Sequence, residues 1–455
     1  MENYQNQNEP QVGFLQSTTA KMMLVGVLTL VLLIPLEFVK TLISERSVRQ
    51  KEVVQETSKK WGESIYFYGP ILKIPYKTHT ESLTVDQQTK QTTKQITSET
   101  KYAYFFPDEL KNASKVNMAE PLKRSLYKSN VFKAEMNFSG NYTKPNFDIE
   151  VIADADILWD KATVLIRTTD MKSIKSQVNV KLGENTYRFE PVQTAQNDSV
   201  TSLETKAVDI QNLRNNAKLD FKFDINYNGS QRITIAPIGK TTAAKMTSDW
   251  HSPSFMGNYI PDEKNKQISA SGFEAQWQVL HLNRPFAQQS FDVLPDLQRY
   301  AFGVDFLIPV DEYQQNERAA KYGFLVIGLT FLIFFLIQSI SKISIHIFQY
   351  SMIGLALIMF YTLLISITEH SSFSLAYIIA GSSVVALISL YSISILKNRK
   401  FPAFIGISLT VLYTFIYVII QLEDYALLVG SIGLFAILSA VMYFSRKIDW
   451  TNSNS

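Results

Sequence analysis

Six apolar stretches constrain this 455-residue chain more than any other feature: Met22–Ile43, Tyr322–Ile340, Ile347–Ile367, Phe373–Leu396, Phe401–Ile420 and Tyr425–Phe444. A helix rising about 1.5 Å per residue needs roughly 20 apolar residues to cross about 30 Å of hydrocarbon. All six meet that requirement. The first is interrupted near its far end by Pro35, Glu37 and Lys40 and could be a cleaved signal peptide. However, Ile43-Ser44-Glu45-Arg46 is a poor small-x-small cleavage site, and Glu37 and Lys40 are spaced to pair on one helix face. A retained span is expected.

The connecting loops predict the orientation. Lys342 separates spans two and three, Lys397, Arg399 and Lys400 separate spans four and five, and Arg446 and Lys447 follow span six. The alternate loops, Thr368–Ser372 and Gln421–Asp424, carry Glu369, Glu423 and Asp424 but no Lys or Arg. That alternation is the positive-inside pattern, with both termini cytoplasmic. It places the long polar middle of the chain outside, in the periplasm of a bacterial inner-membrane protein. The domains expected are a cytoplasmic tail (1–21), a first transmembrane helix (22–43), a periplasmic β-rich domain (44–320), a bundle of five further spans (321–444) and a second cytoplasmic tail (445–455).

Spans two to six contain no Asp, Glu, Lys or Arg. A transporter or channel usually keeps such groups despite an insertion cost of about 2.5–3.5 kcal/mol each. Gln338, Gln349 and Ser382-Ser383 are the main polar residues, and Gly430, Gly433, Ala436 and Ala440 form a small-residue stripe suited to helix packing. The bundle reads as an anchor or partner-binding body.

After a charged segment, 44–60, that continues the first span as a helix, the pattern changes at Trp61 to period two. Three hairpins are predicted. Lys218–Tyr227 turns at Asn228-Gly229 and returns through Ile233 and Ile235, because Asn-Gly supplies the positive φ of a type I′ turn. Val178–Leu182 turns at Gly183–Asn185 towards Tyr187 and Phe189. Phe132–Phe138 turns at Gly140-Asn141 towards Phe147, Ile149 and Val151. Phe273–Val279 and Phe302–Val310 also alternate, so one face is buried on a core. Lys77–Lys101 is polar throughout and reads as a loop or a solvent-facing hairpin. The fold class is membrane α-helical, with six transmembrane helices, plus a large antiparallel β-rich periplasmic domain, as a sandwich or an elongated pair of sheets.

Cysteine is absent, which removes thiol nucleophiles, thiolate metal sites and disulfides. The net charge of +3 offers no basic footprint for nucleic acid. No G-x-S-x-G elbow or H-E-x-x-H is present, and Gly239-Lys240-Thr241 lacks the earlier glycine of a phosphate loop. His251 with Asp249 could join a spatial triad, but nothing in the pattern requires one. Asp154, Asp156 and Asp160 lack the glycine and terminal Glu of a calcium loop. No catalytic residue, metal site or cofactor is predicted.

What is specific is a punctuation of aromatic, Gly and Pro residues. Trp61-Gly62 precedes Tyr68-Gly69-Pro70-Ile71-Leu72-Lys73-Ile74-Pro75-Tyr76. Trp250-His251-Ser252-Pro253-Ser254-Phe255-Met256-Gly257 is followed by Gly272-Phe273-Glu274-Ala275-Gln276-Trp277. At the membrane come Pro309-Val310-Asp311-Glu312-Tyr313 and Arg318-Ala319-Ala320-Lys321-Tyr322-Gly323. In combination these resemble the CreD family of bacterial inner-membrane proteins, over most of the chain. Arg124-Ser125-Leu126-Tyr127 departs from the R-G-I-Y expected of that family. The resemblance implies a role in cell-envelope integrity and the envelope stress response downstream of a two-component system, and it brings no catalytic residues with it. The motif residues Trp61, Gly62, Gly69, Pro70, Pro75, Tyr76, Trp250, Pro253, Phe255, Gly257, Gly272, Phe273 and Trp277 are read as structural or partner-contact positions. Arg318, Lys321 and Tyr322 are read as interface anchors. The partners expected are the lipid bilayer and envelope proteins, and the function expected is contact. The alternatives are a membrane-bound enzyme acting on cell-wall or lipid material and a transporter accessory subunit.

Overall fold

Each apolar stretch forms one continuous helix in the computed structural model, which describes residues 18–85, 92–192, 200–215, 217–306, 312–341, 343–396, 400–422 and 425–446. The helices are α1 (Thr18–Trp61), a four-residue α2 (Gln211–Arg214) among the strands, α3 (Glu312–Lys321), α4 (Gly323–Ser341), α5 (Ile347–Thr368), α6 (Phe373–Leu396), α7 (Lys400–Gln421) and α8 (Ala426–Ser445). Six of them are long and apolar enough to cross a membrane. Pro35 lies inside α1 without ending it, and the helix runs on through the charged segment to Trp61.

The chain divides into two compact units, Met1–Glu52 with Val310–Ser455, and Val53–Pro309. Within the first, α1 packs into the bundle through small residues: a Cβ on Gly323 would meet Leu36, and one on Gly354 would meet Leu32. Arg46 lies 3.7 Å from Glu369, so the end of α1 that follows the span shares a side of the bundle with the α5–α6 loop. The polar residues singled out above in the spans are used locally. Tyr350 donates to Gln338 at 3.1 Å, the Gln349 side chain accepts the His346 N–H at 2.9 Å, and Ser382 and Ser383 donate to the Ile379 carbonyl.

Among the described residues the second unit contains 18 strands in chain order. They begin with β1 (Ile65–Val85), β2 (Thr92–Phe105), β3 (Glu109–Met118), β4 (Leu122–Arg124), β5 (Tyr127–Ser129) and β6 (Val131–Tyr142). Next come β7 (Thr163–Thr168), β8 (Asn179–Leu182), β9 (Asn185–Val192), β10 (Thr201–Thr205), β11 (Leu219–Ser230) and β12 (Arg232–Ile235). The last are β13 (Thr241–Ser248), β14 (Ser254–Gly257), β15 (Lys266–Ser269), β16 (Gly272–Leu280), β17 (Gln289–Phe291) and β18 (Phe302–Asp305).

Their order is β14-β18-β12-β1-β7-β10-β9-β8-β11-β6-β3-β13-β16-β15, with β2 added to β1, β17 added to β2, and β4–β5 a separate hairpin. β9 is the corner: its first half pairs with β8 and its second half with β10. The limbs on either side of it pack face to face. Phe67 of β1 stacks on Phe138 of β6 with centroids 4.1 Å apart, and Trp277 of β16 lies 5.5 Å from Phe302 of β18. A two-layered core follows, as the alternating strands require.

Three expectations need correction. The sheet is mixed, because β1–β12 and β3–β13 are parallel pairs among antiparallel ones. The Asn228-Gly229 hairpin does not form: β11 runs through both residues, opposite Lys133 and Phe132 of β6, and the chain bends only at Gln231 (φ 64). Gly140-Asn141 likewise lies within β6, and residues 148–150 form a 3-10 turn instead of a returning strand. At both glycines a neighbour occupies the place of a Cβ. It is the Glu109 carbonyl at Gly140, and the Phe132 ring and Ile65 side chain at Gly229. The third hairpin forms as expected, with Val180 opposite Tyr187 and Gly183 left-handed at φ 56. Lys77–Lys101 belongs to the long β1–β2 hairpin, whose tip lies outside the described residues, as do Ile308 and Val310 of the last predicted strand.

Candidate functional site

The motif residues gather at three places in the β unit. At the first, Trp61 ends α1 and its indole N–H reaches the Phe132 carbonyl at 3.4 Å. Gly62 then caps the helix through a 2.8 Å bond to the Ser58 carbonyl, and its own carbonyl accepts from the Ser230 hydroxyl. A Cβ there would strike the Asn228 carbonyl, so this exit from the helix requires glycine. At the second, Phe255 lies 5.9 Å from Phe273 and 5.8 Å from Trp277. Trp250 packs on the same core and donates its indole N–H to the Ser252 carbonyl at 2.8 Å, and Pro253 and Gly272 stand in the chain close before Phe255 and Phe273. Gly257 (φ 92) and Gly272 (φ 138) hold left-handed turns beside the cluster.

The third place is β1 itself. Gly69-Pro70, joined by a cis peptide, sits where the register with β7 shifts between Tyr68 and Ile71, and a bulge is where a strand tolerates proline. Pro75 lies beyond the last β7 pairing, opposite Tyr102 of β2. Tyr76 follows and opens the most distinctive surface of the unit. Its ring packs edge-on against Phe147 (6.2 Å) and Phe291 (6.0 Å), and Phe147 packs in turn on Phe105 (5.1 Å) and Trp159 (5.8 Å). The Tyr76 hydroxyl donates to Asp292 Oδ1 at 2.7 Å, and Lys101 Nζ donates to Oδ2 at 3.0 Å.

These contacts hold Asp292 in a left-handed conformation (φ 64), with its N–H on the Tyr102 carbonyl at 2.8 Å. Hydrogen bonds from Tyr76 and then Lys101 keep the Asp292 carboxyl below the ordinary carboxylate range. Burial, and then the bond to Asp292, pushes the Tyr76 phenol up. On this aromatic pillar stand apolar side chains with no core to enter: Ile149 is 65 % exposed, Val151 90 % and Val293 71 %. Val151 is also left-handed (φ 52), a strained conformation for a β-branched residue.

Comparison with known proteins places the chain. Residues 17–451 match the family model described as CreD, inner membrane protein CreD. The chain belongs to the CreD family. The inner membrane protein CreD of Escherichia coli K12 is 27% identical over 429 residues, which cover 92% of this chain and 91% of that protein. Among solved structures, one described as a nutrient binding protein from Legionella pneumophila is 9% identical, with a TM-score of 0.23, covering 50% of this chain and 77% of that one. An M1 zinc metallopeptidase variant from Deinococcus radiodurans gives 0.19 at 8% identity, covering 38% of each chain.

In this CreD-family chain Asp249, Asp154 and His79 each have a polar partner within the fold. The Asp249 carboxylate accepts the Met118 N–H at 2.8 Å, and among the described residues no hydrogen bond joins it to His251. Asp154 accepts from Arg214 and from the Trp159 indole, and His79 lies 2.8 Å from Asp156. No group of three or more His, Asp or Glu residues suited to a metal occurs among the described residues. A cleft of about 220 Å³ beside Trp277 carries Lys111, Asn112, Lys245 and Asp262, a polar lining without a histidine.

Sequence reasoning passed over Arg284, which is buried, donates to the Phe286 carbonyl at 3.3 Å and to Gln288, and lies over the Phe286 ring at 4.4 Å. Burial pulls its guanidinium down to about 10. Arg318, Lys321 and Tyr322, read from the sequence as interface anchors, stand just before α4, where Arg318 donates to the Ile420 carbonyl at 3.4 Å.

Proposed function

We propose that this CreD-family protein displays its β unit in the periplasm, with both termini cytoplasmic, and supports cell-envelope integrity by contact with envelope proteins. The observation that carries the contact reading is the pillar surface. Its motif tyrosine, Tyr76, fixes a left-handed turn at Asp292, and Ile149, Val151 and Val293 are held out to solvent beside it. Apolar groups on a rigid support are what a partner surface offers, because their contact area is gained with little ordering entropy.

The topology rests on the Lys and Arg alternation between loops and agrees with the Arg46–Glu369 pair at the proposed outer side. Single cysteines test it, since the natural chain has none. Cysteines at Lys222 and Ser371 should react with an impermeant thiol reagent in outer-membrane-permeabilised cells, and a cysteine at Asn398 only after the inner membrane is breached. Labelling at Asn398 from outside would overturn the topology.

A further inference from the structure

Two cavities in the bundle lie end to end and share Phe415 of α7. The first, about 340 Å³, opens between α3, α4, α7 and α8 and is lined at its mouth by Arg318, Lys321 and Tyr322. The second, about 300 Å³, continues between α4, α7 and α8, with Leu329, Leu332 and Ile333 facing Gly433 and Ala436. Each is of the size that holds a small ligand. We propose that this groove binds one anionic phospholipid, with its phosphate at Arg318 and Lys321 and an acyl chain along α4.

The dimensions agree. From Tyr322 to Ile333 the groove follows eleven residues of helix, about 16 Å, which is close to half of a roughly 30 Å hydrocarbon core. One leaflet's chain therefore spans it. The charges agree too. Arg318 and Lys321 are three apart on α3, so they share a face, and neither has a carboxylate partner among the described residues. Two cations at the mouth of an apolar slot match a phosphate ester joined to a hydrocarbon tail.

A helix of a second copy is the competing occupant, and Gly433 argues against it. The place of its Cβ is already taken by the Phe415 ring, so this part of the small-residue stripe is used within the chain. α8 packs chiefly against α7, which leaves its side of the groove open along α4. On the topology proposed above, the lipid belongs to the outer leaflet of the inner membrane.

Native mass spectrometry of the full chain, released from detergent with phosphatidylglycerol or phosphatidylcholine added, tests this. The wild type should retain one phosphatidylglycerol in preference to phosphatidylcholine. Arg318→Gln with Lys321→Gln should weaken retention about 30-fold, equivalent to ~2 kcal/mol. Leu329→Trp with Ala436→Trp, which fills the apolar limb and keeps both cations, should lose the lipid as well. The proposal is overturned if delipidated, folded wild type binds no phosphatidylglycerol, or if both variants bind it as the wild type does. It is equally overturned if inorganic phosphate alone competes the lipid away, or if the tryptophan pair splits a dimer and leaves lipid retention unchanged.

Discussion

The bundle and the β unit answer to sequence differently. The predicted spans differ from the observed α4–α8 by no more than a residue or so at each end: Ile347–Ile367 became Ile347–Thr368, and Phe373–Leu396 is unchanged. In hydrocarbon a helix must satisfy its own backbone, so the segment alone decides its structure. In the β unit each ladder is completed by residues far away in the chain. Asn228-Gly229 carries a strong local turn signal, yet Gly229 pairs with Phe132, almost a hundred residues earlier. Local grammar governs the one region, and tertiary partners override it in the other.

The sharpest way to break that comparison is at the in-strand glycines. If Gly140 serves close approach and not a turn, Gly140→Val should destabilise the β unit by about 3 kcal/mol, because the added side chain meets the Glu109 carbonyl. Gly229→Val should act similarly against the Phe132 ring. Chemical denaturation of the full chain, followed by tryptophan fluorescence, reads the change. Tolerance of valine at both sites would remove the physical reason given for the missed hairpins.

A smaller effect is expected at the pillar. Tyr76→Phe should cost about 1 kcal/mol by deleting one hydrogen bond to a carboxylate. Because the folded-state pKa of Asp292 is depressed, its contribution is present above the unfolded value near 4 and is lost as pH falls through the folded value. The melting-temperature gap between wild type and Asp292→Asn should therefore be full at pH 7 and close in acid. A gap independent of pH would show that the carboxylate's charge is not what holds the turn.

The smallest effect has the opposite sign. Ser125 connects β4 to β5 with φ 56, at the position where the resemblance led us to expect the glycine of R-G-I-Y. Ser125→Gly should stabilise the unit by about 0.5 kcal/mol, once relief of the left-handed penalty is set against the added chain entropy of glycine. Destabilisation would mean that the serine side chain contributes something the geometry does not record.

Legibility followed the range of the interactions. Period-two alternation in Phe273–Val279 and Leu219–Tyr227 marked real strands, because burial of one face is written locally. Their partners were not legible, nor were the parallel pairs, since pairing depends on which edges meet. The motif positions were found as a set, including Tyr76, through their unusual Gly, Pro and aromatic punctuation. What Tyr76 does was hidden, because Asp292 lies more than two hundred residues away. Val151 was read as a strand residue from its alternation with Phe147 and Ile149. In the fold it follows a 3-10 turn and faces solvent, so the clearest contact candidate carried a core signal.

The pillar also supplies the most direct test of the contact account. Asp suits a left-handed position better than valine does, so Ile149→Asp with Val151→Asp should leave the β unit folded while removing its exposed apolar groups. In a deletion strain scored for survival under detergent and chelator stress, that variant should fail to complement at unchanged abundance, while Asp249→Asn and His251→Gln should complement fully. Full complementation by the doubly substituted surface, with loss of function at Asp249 or His251, would contradict contact as the mode of action and point to catalysis at those two residues.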